Sequence, residues 1–216
     1  MKKRLFAGVA IGAAAMAVTF VALQARTAKE VNRLRVLAGD RFSPPTEARQ
    51  AITVAVFYAQ SMLGKIYDPL MGRFGDPLGK AGCVVCIDVP VRSYQAAGIS
   101  IPLLLRDAAK KNPEWFSIGP NNPPSSSFFY RRVRNYHPLF QHHPALLADT
   151  VPKVGDWVFY GKFHIALVVD VGADGSFRVI EASPLKGRVA VSEGKYMEKT
   201  WGRPAFFGRL RLANHG

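Results

Sequence analysis

Residues 155–183 read GDWVFYGKFHIALVVDVGADGSFRVIEAS, and this stretch decides the fold. Runs at 156–160, 163–171 and 177–182 are rich in Val, Ile and aromatic residues, and Gly161 and Gly172-Ala173-Asp174-Gly175 separate them, as turns separate antiparallel strands. A further run, 188–191, follows Pro184 and Gly187. Upstream the period changes. Ile52, Ala55, Ala59, Met62 and Leu63 recur at helical spacing between Thr46, an acceptable N-cap, and Gly64, which stops them. Residues 86–97 suit a second helix closed by Gly98, and 101–111 a third that ends at Asn112-Pro113. Pro90 stands where a helix starting at Ile87 wants its first amide, so a displaced or distorted start is expected. Residues 65–82, broken by Gly and Pro, and 117–127 (SIGPNNPPSSS) read as loops. Helices first and an antiparallel sheet afterwards make an α+β domain, in which the second helix packs across the sheet.

The chain of 216 residues, 49% hydrophobic and 20% charged, has material for one sizeable core. Its first 25 residues differ from the rest: Lys2, Lys3 and Arg4 precede an uncharged apolar run at 5–23. That is the layout of an export signal, with cleavage after Ala25, or of an uncleaved membrane anchor, since the run is long enough to span a bilayer. Residues 26–46 end in Ser43-Pro44-Pro45 and read as a linker, leaving 47–216 as the domain. The formal charge is +14, or +11 without the three basic residues of the first segment, so an anionic partner is expected. An exported domain meets cell-wall polymer or an anionic membrane surface rather than nucleic acid. Apart from Arg131-Arg132-Val133-Arg134 the basic residues are dispersed, and simple solvation of the surface explains them equally well.

The two cysteines, Cys83 and Cys86, are spaced C-x-x-C. A redox pair places its first cysteine at a helix start, whereas here Cys86 opens the helix. A zinc site needs a second ligand pair, and His137, His142 and His143 do not supply one. The remaining reading makes Cys86 a nucleophile, its thiolate favoured by the helix dipole and a nearby imidazole. His164, at the start of an otherwise apolar run, is either that base or a core histidine. Glu181, the only charge in Val179-Ile180-Glu181-Ala182, bears on the choice. If 163–171 and 177–182 pair as a hairpin, Val171 faces Ser176 and His164 faces Ser183, or a shorter loop sets Glu181 directly opposite. In both registers His164 and Glu181 share a face, within about 5–8 Å, so the carboxylate is able to orient the ring.

Several segments together resemble a known superfamily. They are Ala59 to Tyr67 (AQSMLGKIY), Cys86 twelve residues before Gly98-Ile99, Gly155-Asp156-Trp157-Val158-Phe159, and His164-Ile165-Ala166-Leu167-Val168. Their order resembles that of the NlpC-type, papain-like cell-wall cysteine peptidases. Cys86-Ile87-Asp88-Val89, Arg92, Tyr94 and Phe128-Phe129-Tyr130-Arg131-Arg132-Val133-Arg134-Asn135 look closer still to a domain-of-unknown-function branch with a Cys-Thr-Asp-Val motif. The likeness covers residues 50–212. It implies a papain-like fold and an amide hydrolase of peptidoglycan stem peptides; export to the periplasm or beyond is expected from residues 1–25, and a monomer with no cofactor or metal is expected. By position it makes Cys86 the nucleophile, His164 the base and Glu181 the orienting third residue, where the superfamily more often has His or a neutral polar residue. Tyr67 and Asp88 are then expected to contact substrate. Acyl transfer by the same pair, a wall-binding module without activity, and a thiol–disulfide carrier using Cys83 and Cys86 are the alternatives.

Overall fold

The computed structural model describes residues 48–70 and 82–211, all within a unit formed by residues 43–216. The signal or anchor segment, the linker, Thr46, His215 and most of the Gly- and Pro-rich loop lie outside the described residues. Among the described residues no helix is long and apolar enough to cross a membrane.

Helix α1, Ala48–Ser61, buries Ala51, Ala55 and Ala59, with Met62 just beyond its end; Ile52 is half-buried and Leu63 is exposed rather than core. Small residues spaced four apart let α1 lie close along α2, Asp88–Ala96. The α2 start is displaced, as Pro90 implies. Cys86 and Ile87 form a turn before it, and Pro90 is the third helical residue, where a backbone N–H has no intrahelical acceptor to lose. Its end follows the sequence. Gly98 adopts φ 77°, so that the Ile99 N–H reaches Tyr94 O (2.8 Å) and the Gly98 N–H reaches Gln95 O (3.0 Å). Helix α3 is Ile101–Lys111.

Among the described residues two α-helices and two strands had no counterpart among the expected elements. Helix α4, Val133–His142, carries Pro138 inside it, and α5 spans Gly194–Trp201. Strands β1, Leu146–Asp149, and β6, Phe206–Leu210, pair with each other. The expected strands are β2, Trp157–Tyr160; β3, His164–Val171; β4, Phe177–Ser183; and β5, Arg188–Glu193. The sheet is antiparallel throughout, in the order β1-β6-β2-β3-β4-β5. The architecture is therefore α+β, with the sheet largely in the C-terminal half.

The sheet has two apolar faces. Trp157, Phe159, Ile165, Leu167, Ile180, Ala182, Val189 and Phe206 form one core with residues of α1 to α4. Val158, Tyr160, Ala166, Val168, Phe177, Val179 and Phe207 form a second with Met197 of α5. Cover on both sides is why β2 and the first half of β3 read as unbroken apolar runs rather than alternating ones.

Candidate functional site

The hairpin β3–β4 sets the site. Leu167 pairs with Ile180 and Val168 with Val179, so the same register carried along the strands puts His164 across from Ser183 and Glu181 one diagonal step away. At the turn the register is Val171 to Phe177, one residue off the expected Val171 to Ser176, and a bulge between Val168 and Asp170 absorbs the difference before it reaches His164. His164 Nε2 lies 2.9 Å from Glu181 Oε2. The carboxylate is 0% exposed and the imidazole residue 2% exposed.

Cys86 arrives from the other direction. The segment at 66–68 threads between two others: Tyr67 N–H donates to Gly187 O (2.9 Å), Asp68 N–H to Val84 O (2.9 Å), and Val84 N–H to Ile66 O (3.0 Å). This ties the residues before Cys86 to the β4–β5 turn at the His164 end of the sheet. Asp88 fixes the turn itself. Its Oδ2 accepts from Val85 N–H (2.9 Å) and from Arg131 (2.8 Å), with Arg92 at 3.7 Å. Cys86 is 8% exposed, and its side chain lies close enough to the His164 ring to favour the ring's protonated form. Glu181 occupies Nε2, which leaves Nδ1 as the ring's free nitrogen.

The ring charge follows from these neighbours. Burial opposes protonation, yet the hydrogen bonds and negative charges of Cys86 and Glu181 outweigh it and push the His164 pKa up to about 9. Burial would likewise raise Glu181, but the His164 and Ser192 hydrogen bonds, with the charges of His164 and Lys186, hold it below the ordinary glutamate range. Tyr67 is half-buried, and its phenol is pushed up by burial first and by the charges of Cys86, Asp68 and Asp88 next. All five residues singled out from the sequence thus meet at one end of the sheet. Asp88 sits within the protein, its carboxylate committed to backbone and arginine.

Three further residues complete the surroundings. Trp201, the last residue of α5, stacks on the His164 ring with centroids 4.2 Å apart and planes at 9°. Ser192 Oγ donates to Glu181 Oε1 at 2.6 Å, and Lys186 Nζ lies 2.6 Å from Ser192 Oγ. Ser192 was within reach of sequence reasoning, because continuing β5 one residue past Val191 around the Pro184–Gly187 turn sets Ser192 opposite Val179, diagonal to Glu181. Trp201 lies in a segment with no readable periodicity, and Lys186 in a turn.

The other candidates stay apart. Cys83 is a free thiol, fully buried, pushed up by burial and by the Asp68 charge. His137 packs edge-on against Phe159 and Phe206 and is pushed down by burial, and His142 lies against Trp115. Among the described residues no group of three or more His, Cys, Asp or Glu side chains is arranged to hold a metal ion. Chemically, a thiol paired to a charged, oriented imidazole is equipped for nucleophilic attack on an acyl carbon. No family model matches this chain, and no curated protein matches it.

Proposed function

We propose that this chain is a papain-like, NlpC-type cysteine hydrolase, exported and acting on an amide bond of peptidoglycan stem peptides. The observation that carries the reading is the His164 ring, its Nε2 2.9 Å from the buried Glu181 carboxylate, with the Cys86 side chain close enough to act on the same ring. The Cys86 thiolate attacks the amide carbonyl carbon, and the C–N bond breaks as the His164 imidazolium hands its proton to the departing amine. The resulting thioester is hydrolysed by water, whose proton returns to His164, releasing the acid and the free thiol. The Cys86 N–H, which has no acceptor among the described residues, and the Tyr67 hydroxyl, on which the Cys86 charge acts, are then the candidate donors to the developing oxyanion.

The substrate class rests on the resemblance and on the charge of +14, which suits an anionic envelope polymer. Export or anchoring rests on residues 1–25. The carrier reading is weaker, because Cys83 has no exposed surface and its thiol is pushed up, both of which oppose exchange. A wall-binding module has no use for a charged ring paired to a buried carboxylate beside a thiol.

The test is digestion of purified peptidoglycan by the reduced protein, with mass analysis of the fragments. New amino and carboxyl termini that vanish with Cys86→Ala and His164→Ala support the reading. Intact glycan peptides alongside tight binding would assign the module instead.

A further inference from the structure

We propose that Lys186 and Ser192 are positioning residues for the reaction, an ammonium and a hydroxyl that fix which nitrogen of His164 takes the Cys86 proton. The proposal rests on the reading of Cys86 as the nucleophile. An ammonium donates and never accepts. Ser192 Oγ, 2.6 Å from Lys186 Nζ, therefore accepts there, and its own proton is directed to Glu181 Oε1 at 2.6 Å. The ammonium 3.9 Å from Glu181 Oε1 favours the ionised carboxyl, whose two oxygens only accept, so His164 Nε2, 2.9 Å from Oε2, must be the donor. The neutral ring then carries its hydrogen on Nε2, which leaves the Nδ1 lone pair as the one free to take the Cys86 proton. When the thiol ionises, the S–H bond breaks, the proton passes to Nδ1, and the pair becomes thiolate and imidazolium with no other proton moving.

The turn between β4 and β5 is built to hold Lys186 there. Its N–H donates to Ser183 Oγ (3.3 Å), and its ammonium lies 4.5 Å from the Tyr196 ring centroid and also reaches Val191 O (3.3 Å). The ammonium stands 3.9 Å from Glu181 Oε1, and its side chain is 29% exposed, so water screens it only in part. The other ionisable groups facing Glu181 and His164 are Cys86, ahead of α2, and Tyr160 of β2, with Glu198 of α5 acting on Tyr160. None of these supplies a second cation, so the positive end of the array falls to Lys186.

The experiment measures iodoacetamide modification of Cys86 in the full-length protein by mass mapping of its peptide, which separates it from Cys83. The readout is the rate at about pH 6.5 relative to that at about pH 10, where a thiol ionises without help. Lys186→Met and Ser192→Ala are each expected to cut this ratio by about tenfold, the size of one hydrogen bond to a charged group, and Ser192→Thr to restore it. If His164→Ala collapses the ratio while Lys186→Met and Ser192→Ala leave it intact, the positioning role is overturned and the nucleophile stands. If His164→Ala has no effect, the nucleophile reading itself falls. Should the variants not fold, 15N NMR of His164 in Cys86→Ser protein decides: an Nε2–H tautomer of the neutral ring is expected, and an Nδ1–H tautomer overturns the proposal.

Discussion

The imidazole of His164 and the indole of Trp201 lie face to face, centroids 4.2 Å apart and planes 9° from parallel. Glu181 holds the ring at one nitrogen, and the indole fixes its plane. A charged imidazole over an indole face also gains cation–π attraction. Trp201→Ala is therefore expected to lower kcat/KM by about tenfold, a cation–π contact and a lost orientation together, while Trp201→Phe retains most activity. Steady-state rates on a stem-peptide substrate check this. Equal rates for Trp201→Ala and wild type would mean that Glu181 alone aims the ring.

The raised pKa of His164 makes stability depend on pH in a stated direction. A ring that holds its proton more tightly when folded stabilises fully below its unfolded pKa of about 6.5. That stability is lost as pH climbs through about 9. Glu181 acts oppositely: held low, it stabilises above the ordinary glutamate range and loses its contribution as pH falls through the depressed value. Urea midpoints are expected to be flat near pH 6 and to decline toward pH 9.5. His164→Ala removes that decline whatever it does to the absolute midpoint; a parallel decline in the variant would show that the ring is not the titrating group.

Glu181→Gln tests the carboxylate with its shape retained. The amide still accepts one hydrogen bond, but the imidazolium loses its counter-charge, and activity is expected to fall by about 10² or more. Glu181→Ala, which leaves the buried ring without its partner, is expected to cost about 3–5 kcal/mol of stability as well. Thermal unfolding beside the rate measurement separates the two effects. A Glu181→Gln protein with unchanged rate would reduce Glu181 to a buried structural acid.

How much of this the sequence discloses varies with the origin of each contact. The His164–Glu181 pair was readable because both lie on adjacent strands joined by a short turn, and period-two alternation keeps them on one face even with a bulge at the turn end. Strands β2 to β5 were readable from their Val, Ile and aromatic content between Gly- and Pro-marked turns. Helix α4 was not, because Pro138 interrupts what its buried residues Tyr136, Leu139 and Phe140 otherwise spell out. Strand β6 was hidden by Gly208, a poor strand former. Trp201 and Lys186 reach His164 and Glu181 through tertiary packing, which no local period records.

Asp88 was expected to contact substrate, and its geometry makes it the post behind Cys86. Asp88→Asn keeps an acceptor for Val85 N–H and loses the Arg131 and Arg92 ion pairs. An unfolding midpoint lowered by about 1–3 kcal/mol equivalent is expected, with KM less affected than kcat because the nucleophile is displaced rather than the substrate. A raised KM with unchanged stability would return Asp88 to the substrate.

Gly208 is required by the sheet rather than by a turn. A Cβ built there meets Phe140 Cδ1 at 2.5 Å and Phe159 Cε2 at 2.9 Å, because α4 lays Phe140 directly on β6. Phe140 in turn packs at a tilt against Trp157 and Phe159, ring centroids 5.0 Å and 5.2 Å away, which restricts the directions in which it can retreat. Gly208→Ala is expected to destabilise by about 1–3 kcal/mol through overpacking. Adding Phe140→Leu, which removes ring atoms facing the new methyl, is expected to recover part of that loss, so the double variant is more stable than the two single effects added together. Denaturant titration of the four proteins closes the cycle. Strict additivity would mean that the methyl is accommodated by movement of β6 away from α4, with Phe140 playing no part.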